Sequence, residues 1–172
     1  MNNYHDSKGK FCSGDGTRPC PEGGCHYCES ANKRHINPLP EGGGSITFRN
    51  DELGGRSTDQ PISPATAAMV EEVIRALGLR ININSTTGGK HDSPKSRHYI
   101  GKAVDINRIN GIPVSPSNPY VEPLQRAFQQ QPNIRENFGP AGCVKTSESG
   151  QVTTIPKLMR GHMTHIHVSG QE

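Results

Sequence analysis

The chain has 172 residues, enough for one domain of ordinary size with an appendage. Only 30% of the residues are hydrophobic, while 20 are Gly and 14 are Pro, so the core is lean and loops are abundant. Aromatics at 5% with no Trp argue against a stacking platform for single-stranded nucleic acid, and a formal charge of +3 without a Lys/Arg stripe gives only weak attraction for an anionic polymer.

The composition divides the chain near residue 45, into a Cys-rich segment with its linker (1–45) and a folded domain (46–172). The first 45 residues hold four of the five cysteines and almost no aliphatic side chains, so they cannot build a conventional core. Cys12, Cys20, Cys25 and Cys28 leave three readings open. Four thiolates could close a second, structural zinc site, with Cys25-x-x-Cys28 as one half of it. Two disulfides would suit an oxidising compartment. Alternatively, the segment is an unstructured leader with incidental thiols. The lack of a basic stripe counts against a zinc knuckle for nucleic acid, and no nucleic-acid partner is expected. Cys143 has no partner in any scheme and reads as a partly buried free thiol. The opening residues lack the apolar h-region of a secretory signal, so the expectation is cytoplasmic synthesis with delivery by another route. No apolar run is long enough to span a bilayer. Pro38–Gly44 reads as a linker or long turn.

From Ser45 the pattern is that of a folded domain. Ser63 followed by Pro64 predicts a helix start, and Gly78 its stop. Ala68, Val70, Val73, Ile74 and Leu77 supply an apolar stripe between them. Leu79, Ile81 and Ile83 alternate with polar residues as in a half-buried strand. Ala103–Asn107 and Thr164–Ser169 predict two further strands, and Val121–Gln130 a second helix. The sum is an α+β domain with a small antiparallel sheet and flanking helices.

Two segments carry the chemistry: Ser96-Arg-His98-Tyr-Ile-Gly101-Lys-Ala103-Val-Asp105 and His162-Met-Thr-His165-Ile-His167. Three of the eight histidines thus fall within six residues. Strand alternation sends His165 and His167 to one face and Thr164, Ile166 and Val168 to the other. It likewise groups Ala103, Asp105 and Asn107 opposite Val104 and Ile106. If the two strands pair, Asp105 and His167 sit side by side, with His98 arriving from the loop before them through a turn at Gly101. Any one of these residues alone reads as an ordinary hydrogen-bonded or surface group. Together, two imidazoles and a carboxylate are a normal ligand set for a catalytic zinc ion with one position left for water. His165 is then placed to act as general base, and His162 to orient the water or stabilise an oxyanion.

The pattern Ser96-x-His98-x-x-Gly101-x-Ala103-x-Asp105, followed by His165-x-His167, resembles a metallopeptidase group. Its members include D-alanyl-D-alanine carboxypeptidases, phage L-alanyl-D-glutamate endolysins, penicillin-insensitive murein endopeptidases and the hedgehog signalling domain. The resemblance covers roughly residues 60–170. It implies one zinc on His98, Asp105 and His167, His165 as the base, His162 as an additional active-site His, and a peptidoglycan peptide as substrate. It also implies substrate contacts at Ser96, and at Asn84 and His91, which flank a stretch where many members carry an Arg that this chain lacks. The Glu that carboxypeptidase-type members place shortly before the last ligand is also missing, which favours an endopeptidase-like arrangement. A monomer is expected, as is association with a phage or virion, since residues 5–14 resemble openings of phage structural proteins. Hedgehog domains supply the alternative, a zinc-binding recognition module without catalysis.

Overall fold

The computed structural model describes residues 4–5, 11–12, 33–37, 39, 43–49, 61–87 and 96–171. Two short strands, β1 (Tyr4–His5) and β2 (Phe11–Cys12), pair antiparallel with each other. The main sheet has eight strands: β3 (Ser45–Phe48), β4 (Arg80–Ser85), β5 (Ala103–Ile109), β6 (Ile112–Pro113), β7 (Ile134–Gly139), β8 (Gly142–Thr146), β9 (Val152–Thr154) and β10 (Ile166–Gly170). Its order is β3-β4-β5-β10-β7-β8-β9, with β6 turning back onto β5. The fold is α+β, as expected, but the sheet is larger than the small antiparallel one predicted, and it is mixed. β3 and β4 run parallel, and the crossover such a pair needs is supplied by helix α1 (Pro64–Leu77). A second helix, α2, spans Val121–Gln129, and a 3-10 helix, η1, spans Pro156–His162.

Helix α1 begins and ends where its punctuation places it. The Ser63 side chain accepts from Thr66 N at the N-cap, Pro64 opens the first turn, and Gly78 closes the helix in the left-handed region at φ +62. The buried stripe is rotated from the predicted one. Ala67, Met69, Val70, Val73 and Ile74 face inward, whereas Ala68 and Leu77 are exposed. The inward set packs with Val104, Ile106, Ile166 and Val168 from the two central strands, and with Leu124 and Phe128 of α2. Both helices therefore cover one face of the sheet. Beneath α2 the contact turns polar: Asn137 Nδ2 donates to Gln125 O at 2.7 Å, and Gln125 Nε2 donates to Gly142 O at 2.9 Å.

Residues before Ser45 also join the core. Ile36 and Leu39 are buried in it, and Arg34 exchanges backbone hydrogen bonds with Ile62. Glu71 of α1 holds this segment, accepting from both Arg34 guanidinium nitrogens at 2.6 and 2.9 Å and from Asn37 N at 2.6 Å. Cys143 is fully buried rather than partly so, and burial pushes its thiol pKa up. Cys20, Cys25 and Cys28 lie outside the described residues, as does much of Pro38–Gly44, and of Cys12 only the backbone, in β2, is described. Among the described residues no helix is long and apolar enough to cross a membrane.

The helix-covered face fixes which side chains reach the other one. Ile106 is fully buried and directly precedes the bulge that lets Asn107 slip out of register with β4. Ile106→Ala should therefore cost about 2–5 kcal/mol, read as a lower urea midpoint. An unchanged midpoint would mean that the helix-covered face is not the core.

Candidate metal centre

Strand register builds the site. β10 lies antiparallel between β5 and β7, and the pairing sets His167 directly opposite Asp105 on one side and Phe138 on the other. One row of side chains thus crosses the sheet as Asp105, His167, Phe138 and Cys143. The next row is Ala103, Ser169, Glu136 and Lys145. Alternation puts both rows on the face opposite the helices.

His98 comes from the turn before β5, and three ties hold that turn. Gly101, at φ +71, reverses the chain, and its N–H donates to His98 O at 2.9 Å. Arg97 donates to the carbonyls of Gly170 and Gln171, at the end of β10. His98 Nδ1 lies 2.5 Å from the backbone carbonyl of Thr86, just past β4.

The three donor atoms then meet. His98 Nε2 is 3.1 Å from Asp105 Oδ1 and 3.0 Å from His167 Nδ1, and His167 Nδ1 is 3.0 Å from Asp105 Oδ1. All three residues are buried. A tetrahedral ion with bonds of about 2.0–2.1 Å keeps its ligand atoms roughly 3.3 Å apart, so the triangle needs to open only slightly. Proton accounting points the same way. A carbonyl only accepts, so His98 Nδ1 carries the hydrogen and Nε2 keeps its lone pair. His167 Nε2 is 3.2 Å from Glu136 Oε2. Burial opposes charge on Glu136, but the hydrogen bonds from His167 and Lys145 outweigh it and lower its pKa to about 2. As a carboxylate it accepts from Nε2, which leaves Nδ1 facing the triangle. For Asp105 too, burial favours the neutral form, and His98 and His167 overcome it to hold the carboxyl well below its usual range. Once His167 gives up its extra proton, three lone pairs point at one spot, as a bound cation requires, so the group could hold a metal ion.

His165 and His162 complete the surroundings. β10 begins at Ile166, so His165 precedes the strand instead of lying on it, and Thr164 is exposed instead of facing the core. His165 is half-buried. Burial lowers its pKa most, Asp105 opposes that, and His162, His167 and His98 lower it further. The His162 ring stands 4.9 Å from that of His165 and edge-on to Phe138 at 5.2 Å. Its Nδ1 is 2.8 Å from Leu158 O and so donates to it. Ser96 opens the turn that carries His98 and is half-buried. Asn84 lies on β4, and its Oδ1 is buried without a hydrogen-bond partner among the described residues. His91 lies outside the described residues. Glu136, Phe138 and Lys145 escape sequence reasoning, because the polar run Arg135-Glu136-Asn137 hides the alternation of β7.

The buried His167 makes the metal-free protein sensitive to alkali. Burial alone would lower its pKa, but hydrogen bonds to Asp105 and Glu136 raise it from 6.5 to about 9. A pKa raised by folding stabilises fully below the unfolded value and is lost as pH rises through the folded value. The metal-free protein should therefore lose thermal stability from pH 6.5 to 9, and, if the group holds a metal ion, stabilisation by that ion should grow over the same interval. Melting curves with and without chelator test this, and a flat metal-free profile would refute it. No protein-family model matches the chain, and neither does any curated protein.

Proposed function

We propose that the domain is a zinc-dependent peptidase that hydrolyses amide bonds of bacterial cell-wall peptides. The observation that carries the reading is the convergence of His98 Nε2, Asp105 Oδ1 and His167 Nδ1, each about 3 Å from the others, beside two more histidines. A buried set of two imidazoles and one carboxylate suits zinc better than calcium or magnesium, which prefer oxygen alone. When bound, zinc supplies Lewis acidity for the scissile carbonyl and brings the pKa of a water down to about 7.

The remaining steps fall to the chain's own groups. His165 takes the proton of the attacking water, because its lowered pKa keeps the ring neutral at pH 7. It then returns that proton to the leaving amine. His162, with Nδ1 donating to Leu158 O, presents Nε2 as an acceptor that orients the attacking water. Glu136 is not the base, since its carboxylate is engaged by His167, Ser169 and Lys145. The choice of cell-wall peptides rests on the resemblance of the His98–Asp105 and His165–His167 motifs to murein peptidases. The positive net charge favours approach to an anionic wall.

The test combines elemental analysis with release of amino groups from purified murein. Wild-type protein should carry one zinc and release new amino groups. His165→Ala should retain the zinc and lose roughly 10²–10⁴-fold in rate. Zinc binding with no release from any murein would sink the peptidase reading and leave a recognition module of the same fold.

A further inference from the structure

Behind His167, away from His98 and Asp105, stands a second arrangement that the proposed mechanism leaves without a chemical task. His167 Nε2 faces Glu136 Oε2 at 3.2 Å. Ser169 Oγ donates to that same oxygen at 3.1 Å. Lys145 Nζ reaches the other oxygen, Oε1, at 2.8 Å. Glu136 is buried, so its charge is satisfied by partners rather than by water. The register explains the grouping, since Ser169, Glu136 and Lys145 are direct cross-strand neighbours on β10, β7 and β8.

We infer that Glu136, held by Lys145 and Ser169, is the positioning residue of the metal centre and sets its affinity by fixing the tautomer and the ring orientation of His167. The inference rests on the reading of His98, Asp105 and His167 as metal ligands. The two imidazoles are aimed by different means. His98 is fixed by a backbone carbonyl, that of Thr86, which no side-chain substitution removes. His167 depends on a side chain three strands of sheet hold in place. Its ring lies nearly flat against Phe138, with 17° between planes, so stacking leaves it free to slide in plane. The hydrogen bond to Glu136 removes that freedom. A carboxylate behind a ligating imidazole also makes the metal-facing nitrogen more basic, and loss of such a partner typically weakens metal binding 10–100-fold. Lys145 then acts at one further remove. It is 40% exposed, so its contribution is smaller than that of Glu136.

The experiment measures zinc affinity of the full chain by competition with a chromophoric chelator at fixed pH, with cobalt(II) absorption as a second readout. Glu136→Gln should weaken zinc binding about 10–100-fold and alter the cobalt spectrum. Lys145→Met should weaken it severalfold, and the double variant should be little worse than Glu136→Gln, because the lysine acts through the carboxylate. A merely structural role would lower the melting temperature of the metal-free protein and leave the zinc affinity unchanged, which would overturn the inference. If Glu136→Gln does not fold, Lys145→Met decides alone, and an unchanged affinity there overturns it as well. Wild-type protein that binds no zinc would instead overturn the metal-centre reading beneath it.

Discussion

The antiparallel pairing of β10 with β5 is the constraint on which the site depends. It sets His167 opposite Asp105. Because side chains alternate, a slip of one residue would send His167 into the helix-covered core and bring Val168 or Ile166 to the open face. The apolar residues guard against that slip. Val104, Ile106, Ile166 and Val168 are all fully buried, and exposing them would forfeit roughly 1.5–3 kcal/mol for each side chain. The hydrophobic face thus specifies the geometry of the polar face, and the site inherits its register from the core.

The same pairing explains why the donors tolerate burial. Three polar groups in contact beneath the surface are costly unless each lone pair and each hydrogen is matched. Here one imidazole hydrogen goes to Thr86 O and the other to Glu136, while Asp105 faces both rings. What remains is an excess of acceptors at one point. A proton on His167 relieves it in part, and a divalent ion would relieve it more fully.

Much of this was legible in the sequence. Ser63-Pro64 and Gly78 mark the ends of α1 because capping is local chemistry. The alternation of Ile81 and Ile83, of Val104 and Ile106, and of Ile166 and Val168 shows three strands, because one face of each is apolar. The placement of Asp105 beside His167 followed from the same alternation, with His98 brought in from the turn before β5. Less legible were β7, β8 and β9, whose residues Arg135, Lys145 and Thr153 break any simple apolar period, and whose place in the sheet is decided by long-range pairing. Glu136 was hidden for that reason: nothing local distinguishes it from a surface carboxylate. The buried stripe of α1 lies about one position from the expected one, since Ala68 and Ala67 are equivalent by composition and only packing separates them.

The strand order has a consequence for how the domain reaches its working state. β10 follows every other strand in the chain, yet it lies in the interior of the sheet, between β5 and β7. Until it inserts, β5 and β7 have no shared neighbour, and His98 and Asp105 face a gap where His167 belongs. The contact that closes the triangle joins residues 69 positions apart, a long loop to close. Two donors alone grip an ion far more weakly than three. Were an ion held by these three residues, its uptake would be coupled to completion of the sheet, and it would latch β10 to its neighbours.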